Sequence, residues 1–298
     1  MSVLAIFGPT ASGKSSVARE VAARVGGEVV AADSMQVYRG LPVLTNQDDP
    51  PPRLAGIWPL DREASVAAYQ RLAHAAVDEV LAAGRTPVVT GGTGLYLRAA
   101  LSELRIPPAP AEGARNRWQA RYEEDGPQRA HELLAELDPA AAARVHPNDR
   151  RRVVRALELA ETGESLAEDG LWGADARHPT VIFGLEVPRD ELVRRIEARS
   201  RAMFDRGVEA EVARALAGAL SQTAEKAIGL RDLAELPRAE ALERIVVRTR
   251  QYASYQRKWM RRIPGLVSVR ADRPPEETAD EIVEVARARE RLPRLGAA

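Results

Sequence analysis

Short apolar runs alternate with helical patterns along the first third of the chain. Val3–Phe7, Glu28–Ala32 and Thr86–Thr90 each have the length and apolar character of a buried parallel strand. Between them, Ser15–Val25 and Ser65–Ala83 have helical spacing. This rhythm predicts a parallel sheet covered by helices.

The pattern changes after the proline-rich segment 107–110, which is typical of a linker. Beyond it no run is typical of a buried strand until Val181–Leu185. The helices predicted in between are Arg115–Glu124, Gln128–Leu137, Pro139–Val145 and Asp149–Glu161. The helices predicted after Pro188 are Arg189–Arg206, Val208–Ala219, Arg238–Arg262 and Glu276–Arg291. We therefore expect an α/β core, residues 1–112 and 177–298, interrupted by an all-helical insertion domain, 113–176.

Composition narrows the class of protein. The chain has 298 residues and 45% are hydrophobic, enough to bury a core. Its 43 Lys and Arg balance 43 Asp and Glu, which excludes a uniformly basic nucleic-acid binder but allows a local basic patch. The lack of cysteine excludes disulfide scaffolds, thiolate metal sites and cysteine nucleophiles. Because signal-peptide and membrane-span patterns are absent, we expect a cytoplasmic protein. We also expect a monomer.

One motif indicates a chemistry by itself. Residues 8–15, Gly-Pro-Thr-Ala-Ser-Gly-Lys-Ser, match the phosphate-binding pattern G-x-x-x-x-G-K-[ST] between a predicted strand and a predicted helix. In such a loop, backbone N–H groups and the helix N-terminus hold a polyphosphate. Lys14 would neutralise its terminal charge and Ser15 would bind Mg²⁺. We therefore expect a P-loop NTPase-like sheet, with the identity of the phosphate compound left open.

Asp33 follows the second predicted strand, so it should lie at the carboxyl edge of the sheet, where open α/β folds bind ligands. An ordinary P-loop ATPase uses such an aspartate to hold Mg²⁺, and a following glutamate often activates water. Ser34 stands at that next position here. Asp33 is therefore a candidate general base toward a bound acceptor, a candidate Mg²⁺ ligand, or an N-cap of the following turn.

A second glycine turn, residues 91–96, follows the third predicted strand. Glycine lets a backbone approach a ligand closely, and Thr93 can donate to a phosphate oxygen, although glycine after a strand is often only a turn. If the sheet is parallel, this turn, the phosphate loop and Asp33 converge on one site.

Two helical segments concentrate basic residues. Four arginines lie within residues 150–155, and residues 238–262 carry eight Lys and Arg interleaved with two tyrosines and a tryptophan. Cations with aromatic side chains suit RNA, because phosphates need charge and exposed bases need stacking partners. Either segment alone is more simply explained as a solvated helix face.

Together, the motifs resemble the tRNA dimethylallyltransferase family, whose members modify the adenosine next to the anticodon. The matching pieces are residues 8–15, Asp33–Gly40, Gly91–Tyr96, His146–Asp149, Arg152–Glu158, Met203–Phe204, Gly207, Glu211–Val212, Ala227–Arg231, Thr249–Ala253 and Arg257–Trp259. They occur in the family's order and cover nearly the whole chain, so the resemblance is specific.

The resemblance implies dimethylallyl diphosphate as the donor, with Mg²⁺. The residues that would bind its diphosphate are Gly8, Pro9, Thr10, Ala11, Ser12, Gly13, Lys14 and Ser15. Arg199, which matches the family's R-x-x-x-M spacing before Met203, would join Lys14 and Ser15 in stabilising the departing pyrophosphate. Thr93 would assist near the leaving oxygen.

The acceptor that the resemblance implies is the N6 amine of the adenosine 3′ of the anticodon in tRNA. Its lone pair is delocalised into the ring, so Asp33 would hold and deprotonate it, after the base has flipped out of the stack. Ser34, Met35 and Gln36 would line the base pocket. The residues that would contact tRNA on the insertion are Arg115, Arg151, Arg152, Val153, Val154 and Arg155.

The resemblance is weakest over Leu41–Leu60. Family members usually carry G-T-x-K-P and then a P-H stretch, whereas residues 44–50 here read Leu-Thr-Asn-Gln-Asp-Asp-Pro. Gln47 stands where the family has lysine. One cation expected to face phosphate or RNA is therefore missing, although no residue assigned to chemistry changes.

Other functions remain open from the residues alone. A P-loop small-molecule kinase would use the same loop, with Asp33 binding a hydroxyl acceptor. An adenylate isopentenyltransferase would modify a free nucleotide, and an RNA-binding module would keep a vestigial nucleotide site. The helical insertion argues against a compact kinase, and intact Lys14, Ser15, Asp33 and Thr93 argue against a vestigial site. The sequence lacks N-K-x-D, which disfavours a GTPase.

Overall fold

A parallel sheet forms the core of the protein. The computed structural model describes residues 2–106, 111, 113–166 and 176–291. The strands in this described part are β1 (Val3–Phe7), β2 (Gly27–Ala31), β3 (Thr86–Gly91), β4 (Thr180–Glu186) and β5 (Val267–Arg270), in the order β2-β3-β1-β4-β5. Every neighbouring pair is parallel. The predicted α/β sheet is confirmed.

Helices flank this sheet, and each predicted helix is present with its ends within three residues, except for the two predicted helices that form the single element α4. The helices are α1 (Lys14–Val25), α2 (Val66–Ala82), α3 (Gly94–Leu101), α4 (Ala114–Leu137), α5 (Pro139–Ala142), α6 (Arg150–Ala160), α7 (Arg189–Asp205), α8 (Val208–Leu216), α9 (Leu230–Glu235), α10 (Arg238–Met260) and α11 (Pro275–Arg291). The pattern did not predict α3, α9 or β5. No helix in the described part of the chain has the length and apolar character of a membrane span.

The sheet brings three strand ends to one edge. All five residues of β1 are buried, because apolar side chains of α1, α7 and α11 pack with the sheet in one core. β1 pairs with β3 from Leu4 opposite Val88 to Phe7 opposite Gly91. Beyond β2, the N–H of Ala32 still donates to Thr90 O at 2.7 Å. The loops after β1, β2 and β3 therefore leave the sheet side by side, at its carboxyl edge.

The chain divides into two compact units. Unit 1 comprises Met1–Glu103 and Ala174–Ala298, and unit 2 comprises Leu104–Gly173. The insertion predicted over 113–176 falls mostly on unit 2. Residues 107–110 and 167–175, which include the predicted linker, lie outside the described residues.

The described residues of unit 2 form helices joined by turns and contain no strand. The single element α4 replaces two predicted helices, with a break at Gly126 (φ 80°, ψ 166°) before Pro127. The three helices of this unit pack around a small core that includes Leu134, Val153 and Leu157. Unit 2 therefore has a hydrophobic core of its own.

Candidate active site

The phosphate loop joins β1 to α1. Gly13 and Ala11 have left-handed backbone, with φ of 86° and 66°, and the N–H of Ser12 donates to Pro9 O at 3.1 Å. Helix α1 begins at Lys14 without a side-chain cap and without an acidic residue in its first turn. Its first N–H groups are therefore left for a ligand, and the helix dipole favours an anion there.

Two cations lie at this loop without a carboxylate partner. Lys14 and Arg199 are half-buried, and within the described residues neither makes a hydrogen bond or an ion pair. Burial lowers the pKa of Lys14, an effect that the Asp33 carboxylate opposes. Burial also lowers the pKa of Arg199 to about 10, again opposed by Asp33. Partial desolvation of two cations costs free energy, which a bound anion would offset.

Asp33 lies just beyond β2 and uses one oxygen in its own turn. Its Oδ1 accepts hydrogen bonds from the N–H groups of Met35, at 2.9 Å, and Gln36, at 3.4 Å. These hydrogen bonds give Asp33 the N-cap role that the sequence analysis had left open. Its Oδ2 has no hydrogen bond in the described part of the chain. The carboxylate therefore shapes the turn with one oxygen and leaves the other for a ligand.

The second glycine turn brings Thr93 against the Asp33 turn. Thr93 Oγ1 accepts from the N–H of Ser34 at 3.4 Å and lies 3.3 Å from the Ser34 hydroxyl. It also lies 3.3 Å from the hydroxyl of Tyr252 on α10. Burial, and to a smaller extent the Asp33 charge, raises the pKa of Tyr252. The predicted convergence of the loops after β2 and β3 is confirmed.

The glycines of this turn allow helix α10 to pack closely against the backbone. A Cβ on Gly92 would lie 2.2 Å from Gln256 Nε2, and one on Gly94 would lie 2.3 Å from the Trp259 ring. Both partners belong to α10. The pattern had suggested that these glycines allow a ligand to approach, whereas in the structure they allow α10 to approach.

The phosphate loop, the Asp33 turn and helices α7 and α10 border a cavity of about 320 Å³, whereas Thr93 is not among its lining residues and lies behind Ser34 and Tyr252. Its polar lining includes Thr10, Gly13, Lys14, Ser15, Asp33 and Arg199. Its apolar lining includes Met35, Leu44, Met203, Ile228, Ile245 and the ring of Tyr252. Such a lining suits a ligand with an anionic part and a short hydrocarbon part.

The divergent segment after Leu41 brings a carboxylate to this cavity. Gln47, at the position of the family's lysine, donates from Nε2 to Tyr38 O at 2.7 Å and to Thr45 Oγ1 at 3.1 Å. It therefore stabilises its own loop. The next residue, Asp48, lines the cavity and pairs with Arg19 at 2.5 Å.

Two side chains hold this segment in place. Glu211 on α8 is buried, and its carboxylate accepts from the N–H groups of Val43, at 2.9 Å, and Leu44, at 2.8 Å. Gln36 donates from Nε2 to Thr45 O, at 3.1 Å, and Asn46 O, at 2.9 Å. Gln36 lines the cavity, as does Met35, but its amide nitrogen is already used by the loop.

Two arginines that were predicted to contact tRNA bind a carboxylate inside unit 2. The Glu158 side chain is fully buried, and it pairs with Arg115 at 3.0 Å and Arg155 at 2.9 Å. Both cations therefore neutralise a buried charge, which is costly to leave alone. Their predicted contact with RNA stays a prediction.

The other residues predicted to contact tRNA differ in exposure. Val153 and Val154 are 0% and 3% exposed, so their side chains belong to the core of unit 2 and do not reach its surface. Arg151 and Arg152 are exposed, and within the described residues neither has a carboxylate partner. Arg151 and Arg152 are therefore the exposed and unpaired candidates on this helix, and their contact with tRNA stays a prediction.

Two family models together match most of the chain. The IPP transferase model matches residues 36–263, and the isopentenyl transferase model matches residues 1–48. The chain belongs to the IPP transferase family. The tRNA dimethylallyltransferase of Anaeromyxobacter dehalogenans is 42% identical to this IPP transferase, over 95% of this chain and 99% of that protein. The tRNA dimethylallyltransferase of Corynebacterium jeikeium is 38% identical, over 93% and 94%.

Solved structures with similar folds carry related names. The full-length tRNA isopentenylpyrophosphate transferase from Bacillus halodurans has a TM-score of 0.70 and 30% identity, over 96% of each chain. A eukaryotic dimethylallyltransferase acting on tRNA has a TM-score of 0.73 and 26% identity, over 91% of this chain and 74% of that one. The fold and the family that the motifs predicted are confirmed.

Sequence reasoning missed several side chains that hold the site of this IPP transferase together. Gln256 is 1% exposed, and its amide bridges the phosphate loop and the second glycine turn. Tyr252 meets Thr93, and Glu211 holds the divergent loop. The helical spacing of Tyr252, Gln256 and Trp259 places them on one face of α10. That spacing gives no information about what the face contacts.

Proposed function

We propose that this IPP transferase transfers the dimethylallyl group of dimethylallyl diphosphate to the N6 amine of the adenosine 3′ of the anticodon in tRNA, releasing diphosphate in the cytoplasm. The observation that carries the proposal is the cavity that combines unpaired Lys14 and Arg199, the carboxylate of Asp33 and an apolar lining. The names of the relatives support the same activity, since those quoted are tRNA dimethylallyltransferases and one solved relative acts on tRNA.

Dimethylallyl diphosphate has an anionic part and a hydrocarbon part, which match the polar and apolar linings of the cavity. Its diphosphate would lie at the N-terminus of α1, where backbone N–H groups, Lys14 and Arg199 neutralise its charge. Its five-carbon chain would lie among Met203, Ile228 and Ile245, away from water. The cations act most strongly as the diphosphate leaves, because the bridging oxygen gains charge at that moment.

In the transfer step, the bond from N6 to C1 of the dimethylallyl group forms and the bond from C1 to the bridging oxygen breaks. The electron pair of the broken bond leaves with the diphosphate. The proton of N6 passes to Oδ2 of Asp33, the oxygen that the turn does not use. Thr93 donates near the leaving oxygen. Tyr252, whose raised pKa keeps its hydroxyl protonated, supports Thr93.

The same cavity offers oxygen ligands for Mg²⁺. The Ser15 hydroxyl makes no hydrogen bond within the described residues, and Asp33 and Asp48 also line the cavity. The described residues contain no cluster of three or more acidic or histidine side chains that would enclose a metal. This sparse oxygen set fits Mg²⁺, which keeps waters and takes substrate phosphate oxygens. Held by Ser15 and the phosphate oxygens of the donor, the ion would supply charge neutralisation for the diphosphate, and Oδ2 of Asp33 would stay available for the N6 proton.

An acceptor comparison tests the proposed function. The protein is incubated with dimethylallyl diphosphate and Mg²⁺ and with either unmodified tRNA or AMP, and the products are analysed by mass spectrometry. We expect transfer to tRNA and none to AMP. Transfer to AMP alone would identify an adenylate isopentenyltransferase. Phosphorylation of a small molecule by ATP without any transfer would identify a kinase. Either result contradicts the proposal.

A further inference from the structure

Gln256 is a buried side chain of α10 whose amide binds two loops of the site at once. Its Oε1 accepts a hydrogen bond from the N–H of Thr10 in the phosphate loop at 2.7 Å. Its Nε2 donates to the carbonyl oxygen of Gly92, next to Thr93, at 2.9 Å. The side chain is 1% exposed, so water does not replace these bonds.

The sheet does not fix the spacing of these two loops by itself. Its pairing of β1 with β3 ends at Phe7 opposite Gly91, and both loops leave the sheet there. Beyond that pair, the backbone comes into close contact with α10. A Cβ on Gly92 would lie 2.2 Å from Gln256 Nε2 and 3.0 Å from Gly8 O. The glutamine therefore sets how far apart the two loops lie.

Successive turns of α10 contact the second glycine turn on either side of this amide. Tyr252, one turn before Gln256, lies with its hydroxyl 3.3 Å from Thr93 Oγ1. Trp259, one turn after it, packs against Gly94. Gln256 is thus held between two contacts that limit its movement.

We propose that Gln256 is a positioning residue that fixes the distance between the phosphate loop and Thr93. The inference rests on the proposed function. The loop holds the donor diphosphate both before and during transfer, whereas Thr93 acts only as the bridging oxygen gains charge. Loss of the bridge therefore lowers kcat more than it weakens donor binding.

The first test replaces the amide without changing the size of the side chain. Gln256→Met removes both hydrogen bonds, and we expect kcat for dimethylallyl transfer to tRNA to fall by roughly 10- to 100-fold, because a displacement of about 1 Å can cost that much. The KM for the donor, and its Kd measured without tRNA, should stay within about threefold. The matched control is Gln251→Met, an exposed glutamine on the same helix, which should keep the wild-type kcat.

A second variant keeps half of the bridge. Gln256→Glu still accepts from Thr10 N–H but places a carboxylate oxygen against Gly92 O. We expect the donor Kd of wild type together with a lowered kcat. This variant provides the kcat measurement if Gln256→Met does not fold.

A double-mutant cycle tests the bridge from its other side. Gly92→Ala adds a methyl group where the Gln256 amide lies, so we expect a similar fall in kcat. In a Gln256→Ala background the clash with the amide is gone and only the 3.0 Å approach to Gly8 O remains, so adding Gly92→Ala should slow the enzyme much less than it slows wild type. Defects that multiply would mean that the two residues act independently, which would overturn the inference.

The remaining outcomes separate the two proposals. A folded Gln256→Met variant with wild-type kcat, or one whose whole defect lies in donor affinity, overturns the positioning role. Failure of the wild-type protein to prenylate tRNA overturns the proposed function instead. Wild-type transfer together with a kcat defect confined to the Gln256 and Gly92 variants supports both.

Discussion

In the proposed mechanism Asp33 combines two functions in one side chain, and substitution can separate them. Its Oδ1 holds the turn that carries Met35 and Gln36, and its Oδ2 is left for a ligand. An alanine at this position would lose the turn and the base together. Asparagine keeps an oxygen for the turn and loses the basicity, so it is the sharper probe of the chemistry.

Asp33→Asn should therefore fold and bind tRNA as wild type does but turn over 10²- to 10⁴-fold more slowly, roughly the contribution of a general base. Single-turnover transfer and tRNA binding measured on the same preparation check this. If the variant transfers dimethylallyl at the wild-type rate, Asp33 is not the base.

Lys14 gives the site a pH dependence. Because burial lowers its pKa from the usual 10.5, the cation is lost as the pH rises through a value below 10.5. Donor affinity, measured by calorimetry without tRNA, should weaken over that range.

Asp33→Asn also tests this electrostatic account, because the Asp33 carboxylate raises the pKa of Lys14. Its removal should move the alkaline weakening of donor binding to lower pH. Lys14→Met, which lacks the titrating amine, is the control. A shift to higher pH, or none, would show that the two side chains do not interact as described.

The sequence was sufficient to predict residues that belong to a motif. Lys14, Asp33 and Thr93 each follow a strand, and a parallel sheet brings strand ends together. Gln256 and Glu211 gave no such signal, since their partners are backbone groups 246 and 167 residues away in the chain. Contacts of that kind depend on how helices pack, and a local pattern carries no information about packing.

At the scale of elements, α8 stabilises the loop that borders the cavity. Glu211 satisfies two backbone N–H groups of the segment that carries Leu44. The local sequence of this segment departs from the family's pattern, yet side chains from outside it hold it in place. An element distant in sequence thus determines the shape of the apolar part of the cavity.

Glu211→Ala should lower the free energy of unfolding by about 2 to 4 kcal/mol, because two buried N–H groups lose their acceptor. Urea unfolding measures the change. Glu209→Ala on the same helix is the control: its carboxylate lies on the surface, 3.6 Å from Arg238, and should change stability by less than about 0.5 kcal/mol. Equal losses in the two variants would contradict the structural role of Glu211.

Elements with a long periodic pattern were predicted, and short ones were not. β5 has four residues, pairs with β4 alone and alternates in burial, so it offers too few positions for a pattern. α3 begins at Gly94, and this glycine together with the two just before the helix indicated a turn. That glycine is present because Trp259 occupies the space of a side chain. Tertiary packing overrides local propensity there.

At the scale of the whole molecule, the net charge is zero, yet only some of the cations are paired with carboxylates. Many arginines pair with carboxylates, as Arg115 and Arg155 do with Glu158. Lys14 and Arg199 in unit 1, and Arg151 and Arg152 in unit 2, have no such partner among the described residues. Among the cations without a carboxylate partner, those at the phosphate loop and on α6 are the ones where we expect anionic substrates.

Arg151→Ala and Arg152→Ala should each weaken tRNA binding and reduce the slope of log K against log salt by about 0.7 to 0.9, the contribution of one phosphate contact. Filter binding over a salt series measures it. Arg129→Ala, an exposed arginine of unit 2 that pairs with Glu132 at 3.0 Å, should leave the slope unchanged. Equal slopes for all three variants would remove the predicted RNA contact from this helix.

The proposed function is tested most directly by locating the dimethylallyl group on the product tRNA. Unmodified tRNA is incubated with the protein, Mg²⁺ and labelled dimethylallyl diphosphate. One portion is digested to nucleosides to identify the modified base, and another is digested to oligonucleotides that are sequenced by mass spectrometry to locate it. We predict one labelled group, on N6 of the adenosine 3′ of the anticodon, and none on a transcript with guanosine there. Label at another nucleotide, equal label on the guanosine transcript, or no transfer at all would contradict the account.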